Sequence, residues 1–499
     1  MELVPESIVL ISAILLFLSI IAGKTGYRLG IPTLLFFLVI GILSGSEGPS
    51  WFLNISFDNY HTAQFIGIIA LNFILFTGGL STNWQHTKPV LGQGLLLATL
   101  GVVLTASITG IFFFYLTILF PSLPRFTLLE SLLLGSIVSS TDAAGVFSVL
   151  RAKNLGLKNN LKPILEFESG SNDPMAYILT ITCISLITTR SITIIDTILN
   201  FIIQMVVGIS FGFFWGKIAR LIMNKIKLDY EGLYFVLTIA IMSAAFGLAH
   251  FIKGNGFLAV YIAGLTLGNS SFRHRNTTLK AFDGFTWLMQ ISLFLTLGLL
   301  VFPSQLLALT SIGLILSFFI IIFARPLAVF ISLSFYKMKK ITLRDRAFVS
   351  WVGLKGAVPI VFATYPMIEA NFDPIISQTI FNLVFFISSI SLIVQGSTIP
   401  RIAKLLKVDQ QVEDSEGILD RFINDEKAIL KEIKISRFSF VHNKALQELD
   451  LPKSIIIALI SRNNKFIIPG GDTKLLENDR ITLLSIDKKN MYEALKLFQ

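Results

Sequence analysis

The feature that most constrains this chain is a succession of long apolar runs that fills residues 1 to about 400. Only 14% of its 499 residues are charged, whereas soluble domains usually carry about 25%. A helix needs about 20 apolar residues to cross the hydrocarbon core of a bilayer, and most of the runs are that long. The last hundred residues have ordinary polarity. The sequence therefore predicts a lipid-embedded membrane domain followed by a soluble tail.

Thirteen apolar runs are candidate membrane spans, and the second and ninth are short. Loops after odd-numbered spans up to the eleventh hold 19 lysines and arginines, against 3 after even-numbered spans. Because basic loops stay in the cytoplasm, we expect the N-terminus outside and the tail in the cytoplasm, with the chain in the plasma (inner) membrane. The span centres lie near Leu15, Phe37, Ile69, Gly101, Ser139, Met175, Val207, Ala240, Ala259, Ser292, Phe318, Ala357 and Ile387.

The net charge of +10 does not indicate a nucleic-acid partner. The basic residues of the membrane domain lie in short loops, where they set topology. The single cysteine, Cys183, excludes a disulfide within the chain. No P-loop or other enzyme motif occurs, so we expect neither an enzyme nor ATP-driven transport. We also expect no cofactor and no resident metal.

Two predicted spans are interrupted in their middles. Residues 139–142 read Ser-Ser-Thr-Asp, and residues 353–359 read Gly-Leu-Lys-Gly-Ala-Val-Pro. Capping residues, glycine and proline interrupt helices. The interruptions are seven spans apart. Because an odd number of spans reverses the direction in which the chain crosses the membrane, spans 1–6 and 8–13 are predicted to be inverted repeats. Broken helices at matching places in two such halves indicate a secondary transporter's binding site; the alternative is two independent kinks in a large bundle.

Charged side chains inside the predicted spans need a partner or a function, since each costs about 3 kcal/mol at the bilayer centre on insertion scales. The sixth span is the richest in polar residues. Ser169 and Asp173 are four residues apart, and so are Glu168 and Asn172, so each pair shares a helix face. Hard cations prefer such oxygen ligands. The alternative is a polar network that only holds the helices together. The charged residues are Asp142, Glu166, Glu168, Asp173, Arg325 and Lys355.

The side-chain charges inside the predicted spans can be offset by the partial charges at the ends of the interrupted helices. A helix N-terminus carries about half a positive charge and a C-terminus about half a negative one. Asp142 can offset N-termini at one break, and Lys355 can offset C-termini at the other. If Arg325 pairs with Glu168, Asp173 has no fixed cation. Such a carboxylate holds a proton or a metal cation in turn, which predicts coupled exchange of one ion for one proton.

These motifs resemble the NhaP-type branch of the monovalent cation:proton antiporters over nearly the whole membrane domain. The resemblance implies a homodimer and a site in which Asp173 binds cation and proton alternately. Its Asn-Asp pair resembles the electroneutral exchangers. By the same resemblance, the ion-binding residues are Asp173, Ser169, Thr141 (through its main chain) and Asn172, and the structural charges are Asp142, Glu168, Arg325 and Lys355.

The tail is predicted to be a small α/β module, with short helices at residues 443–449 and 491–498 and a hairpin turn at residues 462–464. We place the membrane domain at residues 1–407, a linker at 408–429 and the module at 430–499. Residues 466–473 and 477–480 resemble the TrkA-C regulatory domain. That resemblance implies dimerisation and a small nucleotide-type ligand; the alternative is a dimerisation tail without a ligand. Within the resemblance, antiporters with this tail tend to exchange potassium for protons.

Three other functions compete with a potassium/proton antiporter. A sodium-selective antiporter would use the same oxygen ligands, because a sequence does not display the geometry that measures ion size. A monovalent cation channel gated by the tail would more naturally contain filter loops or rings of carbonyls. A membrane-bound sensor, in which the spans only anchor the tail, leaves the intramembrane charges without a role.

Overall fold

The computed structural model contains two compact units, Met1–Gln411 and Val412–Gln499. The structure describes residues 5–29, 32–49, 53–121, 123–189, 193–335, 341–411, 429–436, 439, 441–449, 451, 455–462, 465–485, 491–492, 494–495 and 498.

The first unit is built from helices. Three of them, α4 (Trp84–Leu119), α12 (Thr310–Ser334) and α15 (Pro374–Leu405), each contain one wide π-helical turn, at Leu97–Gly101, Ile320–Ala324 and Leu392–Gly396. A short helix, Pro303–Ala308, precedes α12. The helices are α1 (Pro5–Leu29), α2 (Thr33–Ser44), α3 (Tyr60–Ser81), α4 (Trp84–Leu119), α5 (Leu128–Ile137), α6 (Ala143–Ala152), α7 (Leu161–Thr188), α8 (Ile194–Lys225), α9 (Glu231–Phe251), α10 (Gly256–Gly268), α11 (Arg275–Leu299), α12 (Thr310–Ser334), α13 (Leu343–Trp351), α14 (Ala357–Ile368) and α15 (Pro374–Leu405).

The predicted span centres agree with these helices. Twelve centres lie inside a helix, and Ser139 lies in the gap between α5 and α6. Among the described residues, eight helices are long and apolar enough to cross a bilayer, and five further apolar helices are shorter. The helical fold of a membrane protein is confirmed. The number of crossings and the inverted relation of the two halves stay predictions.

Both predicted interruptions are present and have the same construction. Helix α5 begins at a capping box formed by Thr127 and Glu130, and α13 begins at one formed by Thr342 and Asp345. Such a box satisfies amide groups that have no partner within the helix. Each first half is followed by five non-helical residues, 138–142 and 352–356, before α6 and α14 resume. The two broken helices therefore share a common design.

Close helix packing in the first unit depends on small residues. Helices α2 and α11 cross where Gly41 meets Gly298. A Cβ atom added to Gly298 would lie 2.8 Å from the Gly41 Cα atom, which is closer than packed carbon atoms approach. Without a side chain at either position, the two backbones touch, as membrane helices do at small residues.

A small sheet that the sequence analysis did not predict closes one end of this unit. Strand β1 (Leu155–Leu157) pairs antiparallel with β2 (Asp409–Gln411), so the first unit extends into residues we placed in the linker. Beside this pair, the Lys158 amide donates to the Val408 carbonyl at 2.9 Å. The Asn159 side chain donates to the Asp345 carboxylate at 3.1 Å. The segment after α6 is thereby fastened to the chain leaving α15 and to the start of α13.

The second unit contains a four-stranded antiparallel sheet in the order β3-β6-β4-β5. The predicted helix at 443–449 is reduced to one 3-10 turn, Leu446–Glu448. The predicted hairpin residues Asn463 and Asn464, most of the linker and part of the helix predicted at 491–498 lie outside the described residues. The strands are β3 (Ile429–Lys434), β4 (Ile455–Arg462), β5 (Lys465–Ile467) and β6 (Arg480–Ser485).

A buried carboxylate anchors the turn before β6. Asp479 accepts hydrogen bonds at 2.8 Å from Arg462 Nε, from Arg462 Nη2 and from the Leu476 amide. Burial raises the pKa of Asp479, but the hydrogen bonds from Arg462 and Leu476 and the charge of Arg462 lower this pKa by more, so that its net shift is downward. The ionised carboxylate therefore stabilises the folded tail above about pH 4, the unfolded pKa. That stabilisation is lost as the pH falls through the lower, folded pKa.

We predict that Asp479→Asn destabilises the tail by about 2 kcal/mol at neutral pH, because hydrogen bonds to a charged group are lost. Pulse proteolysis of the purified full chain in urea, scored by loss of the tail, measures the change. The difference from wild type should shrink as the pH falls below about 4. Glu432→Gln is the matched control: its carboxylate forms an exposed ion pair with Arg480 at 3.6 Å, so little change is expected. Equal effects of both variants would contradict the assignment.

Candidate functional site

The two helix interruptions meet inside the first unit. The Asp142 amide donates to the Leu354 carbonyl with an N···O distance of 2.7 Å. The Lys355 Nζ atom donates to the Ser140 carbonyl at 3.0 Å. Backbone that is non-helical in one broken helix is therefore hydrogen-bonded by the other. This is how irregular backbone is tolerated at membrane depth, since it is surrounded by protein.

Asp142 lies against the N-termini of two half-helices. Its side chain caps α6 by accepting a hydrogen bond from the Gly145 amide at 3.1 Å. A Cβ atom added to Gly356, the residue before α14, would lie 2.5 Å from Asp142 Oδ2. Only glycine leaves room for the carboxylate there. The negative charge thus faces the positive ends of α6 and α14, the arrangement that helix dipoles favour.

Lys355 has the opposite environment. Its side chain is fully buried, and its ammonium group points at a carbonyl just beyond the C-terminal end of α5. A cation is favoured at this negative end. Asp142 and Lys355 are therefore each balanced by backbone dipoles, as the charge argument expected.

The Arg325 guanidinium is bonded to the Glu168 carboxylate through Nη2 and Oε1, and both side chains are 2% exposed. Arg325 follows the π-helical turn of α12, which displaces the residues after it relative to a regular helix. Among the described residues, Arg325 Nε and Nη1 have no hydrogen-bond partner. The structure places these two residues together as the sequence analysis expected.

Asp173 is buried at the same crossing with 6% of its surface exposed. Its Oδ1 atom accepts a hydrogen bond of 2.5 Å from the Ser140 hydroxyl. In the part of the chain that the structure describes, the intramembrane cations form their bonds elsewhere, Arg325 with Glu168 and Lys355 with main-chain carbonyl oxygen. Asp173 is thus a buried carboxylate held by a neutral hydroxyl.

The other predicted binding residues surround the same break. The Ser169 hydroxyl donates to the Thr141 carbonyl at 2.9 Å and accepts from the Ala143 amide at 3.1 Å. The Asn172 amide group donates to the Thr141 hydroxyl, while Asn172 Oδ1 is buried without a partner among the described residues. The structure therefore brings the four predicted residues together and leaves one oxygen free.

Three further residues at this crossing were missed. Ser391 accepts the Lys355 amide at 2.8 Å and donates to Gln395 at 2.5 Å, and Gln395 in turn donates to the Trp351 carbonyl at 2.6 Å. These bonds satisfy the ends of the α13–α14 break from the π-helical turn of α15 and the residue before it. No sequence pattern reveals such a turn. Asn255 donates to the Pro174 carbonyl at 3.0 Å and caps α10; asparagine before an apolar run was its only signal.

Two family models match different parts of the chain. Residues 13–405 match the family model described as sodium/hydrogen exchanger, transmembrane. Residues 431–499 match the TrkA-C domain. The chain belongs to the sodium/hydrogen exchanger family and carries a TrkA-C domain.

Several relatives cover most of the chain. It is 38% identical to "K(+)/H(+) antiporter NhaP2" of Shewanella sp. (strain ANA-3) over 490 residues, 97% of this chain and 82% of the relative. It is 34% identical to "K(+)/H(+) antiporter NhaP" of Alkalimonas amylolytica, over 95% of this chain and 80% of the relative.

A solved structure has the same fold. The sodium proton antiporter MjNhaP1 from Methanocaldococcus jannaschii superposes with a TM-score of 0.66, covering 80% of this chain and all of the other. Sequence identity to this neighbour is 23%, so the likeness supports the fold alone.

We predict that Glu168→Gln destabilises the membrane unit by about 3–5 kcal/mol, because it leaves the buried Arg325 charge without its partner. Thermal unfolding of the detergent-purified protein measures the loss. Glu166→Gln is the control, since the Glu166 side chain is 31% exposed and only 3.7 Å from a solvated Lys162. An equal melting temperature for wild type and Glu168→Gln would show that the ion pair does not stabilise the fold.

Proposed function

We propose that this protein is a secondary antiporter that exchanges a monovalent cation, preferably potassium, for protons. The observation that carries the proposal is Asp173, a buried carboxylate at the crossing whose neighbouring cations are engaged with other groups. Two relatives of high coverage are named potassium/proton antiporters, which favours potassium over sodium. No ATP site is required, since the proton gradient drives the exchange.

Asp173 would carry both ions in turn. In the cation-bound form, the Asp173 carboxylate would be joined by the Ser169 hydroxyl, the Thr141 carbonyl and the free Asn172 Oδ1 atom. These are hard oxygen ligands suited to an alkali cation. In the other form a proton occupies the carboxylate. The two positive charges repel each other, so that each excludes the other and the fluxes are coupled.

The remaining charges would hold the site in shape. Glu168 with Arg325, and Asp142 and Lys355 with the half-helix ends, are each neutralised locally. They need not change protonation during transport. Only one negative charge then moves with either cargo, and each loaded form of the carrier is neutral. One-for-one, electroneutral exchange follows.

Sodium remains the second candidate substrate. The proposed ligands are all oxygen atoms, and such a set binds either alkali cation. A relative of lower identity, 29% over 71% of this chain, is named "Probable Na(+)/H(+) antiporter 2" of Methanocaldococcus jannaschii. Direct comparison of the two ions decides between them.

The setting of the exchanger is also part of the proposal. The basic loops support a plasma (inner) membrane protein with its N-terminus outside and its tail in the cytoplasm. Family membership supports a homodimer within the lipid. The TrkA-C domain at residues 431–499 supports regulation by a small nucleotide-type ligand from the cytoplasmic side.

We predict that Asp173→Asn abolishes cation-dependent proton flux, because the amide neither ionises nor exchanges a proton. Fluorescence dequenching in everted vesicles, with potassium, sodium and lithium across a range of pH, measures the flux. Wild type should respond at the lowest concentration to potassium. Glu166→Gln changes a carboxylate nearer the start of α7 and should keep its activity. Persistent exchange in Asp173→Asn, at equal protein level, would refute the proposed carrier.

We also predict that transport is electrically silent. Purified protein in proteoliposomes should exchange potassium for protons at a rate that does not depend on an imposed membrane potential. Solid-supported membrane recording should detect no net charge movement beyond that of protein-free liposomes. A sustained current in a potassium gradient without a proton gradient would instead indicate a channel, and a transient current on each turnover would reject one-for-one exchange.

A further inference from the structure

Three successive hydroxyl residues of the α5–α6 break have three different partners. The Ser139 hydroxyl donates back to the Ser136 carbonyl at 2.6 Å. The Thr141 hydroxyl accepts from the Asn172 amide group. Between them, the Ser140 hydroxyl leaves its own helix and donates to Asp173 Oδ1 at 2.5 Å, although the two residues are 33 positions apart. The break thus aims one hydroxyl at the exchangeable carboxylate.

The Ser140 backbone is fixed independently of its hydroxyl. Its carbonyl accepts the hydrogen bond from Lys355 Nζ at 3.0 Å, and the residue is 1% exposed. The main chain is therefore held by the second broken helix, while the hydroxyl hydrogen can still turn about the Cβ–Oγ bond. A hydroxyl held in this way keeps its oxygen beside Asp173 whichever way its hydrogen points.

A hydroxyl suits the two cargoes of the site because it has one hydrogen and two lone pairs. It donates to the Asp173 carboxylate in the structure. A protonated Asp173 would itself donate, and the hydroxyl oxygen would accept. A metal cation would repel a hydrogen directed at Asp173 Oδ1, so that the hydroxyl would have to rotate and offer a lone pair.

We propose that Ser140 is a direct, rotating ligand of the transported cation, in addition to the residues assigned to the site above. The inference rests on the proposed antiport at Asp173 and deepens it. As the cation reaches Asp173, the Ser140 oxygen replaces water in the shell around the cation. When the cation leaves, the Ser140 hydroxyl again donates a hydrogen bond to the Asp173 carboxylate. Ser140 thereby helps to set the affinity for the cation.

The test compares exchange of the full-length protein in proteoliposomes over a range of potassium concentrations at fixed pH. Ser140→Ala should raise the apparent KM for potassium roughly tenfold, the effect of losing about one interaction with a charged group, with a smaller change in maximal rate. Ser140→Thr keeps a hydroxyl and should restore most of the affinity. Ser139→Ala is the control, because the hydrogen bond that the Ser139 side chain donates stays within its own turn, to the Ser136 carbonyl.

A second experiment distinguishes a direct cation ligand from a residue that only positions Asp173. It changes the chemical softness of the side-chain atom at position 140. Ser140→Cys places sulfur where oxygen stood, and soft ligands favour soft cations. With thallous ion, a soft cation close to potassium in size, supplied as its nitrate, the ratio of KM for potassium to KM for thallous ion should rise about tenfold over wild type. Ser139→Cys should leave this ratio unchanged.

The outcomes separate this inference from the proposed function. If wild type exchanges potassium for protons but Ser140→Ala keeps its KM within twofold, Ser140 is not a ligand and the antiporter stands. An unchanged potassium-to-thallous ratio in Ser140→Cys equally overturns direct ligation. Absence of exchange in wild type, with correctly reconstituted protein, would overturn the antiport proposal itself.

Discussion

The structure of the membrane unit depends on two interrupted helices that satisfy one another. Each interruption exposes amide and carbonyl groups that lipid cannot solvate, together with the partial charges of two helix ends. Asp142 meets the N-terminal ends, Lys355 meets carbonyl oxygen beyond a C-terminal end, and a direct backbone bond joins the two breaks. Neither interruption would be stable alone, because its unsatisfied groups would be buried without partners.

This mutual neutralisation has a chemical consequence for the rest of the crossing. Lys355 is bound to the backbone and Arg325 to Glu168, so neither cation is committed to Asp173. The carboxylate is instead held by the hydroxyl of Ser140, which is neutral and can reverse its hydrogen bond. In the proposed exchange, a permanent cation in its place would hold Asp173 ionised and exclude the cargo. The paired and capped charges are thus separated from the Asp173 carboxylate although they lie in neighbouring turns.

The same region is tied to the end of the membrane unit. The segment after α6 pairs with residues 409–411, and its Asn159 reaches the cap of α13 at Asp345. Helices α6 and α13, one half of each broken helix, therefore share one small anchor with the chain that leaves α15.

The sequence by itself determined the class of fold and most of the site. Apolar runs and their flanking charges gave the helices, and capping residues, glycines and a proline located both breaks, because these effects are local. Asp173, Glu168 and Arg325 stood out because charge is rare in lipid. Only the tertiary structure decided which hydroxyl of residues 139–141 reaches Asp173. It also decided that Ser391 and Gln395, at a π-helical turn, close the second break. Finally, it decided that residues 409–411 form a strand that pairs with β1. Each of these depends on contacts between segments distant in the chain, and such contacts leave no periodicity in the sequence.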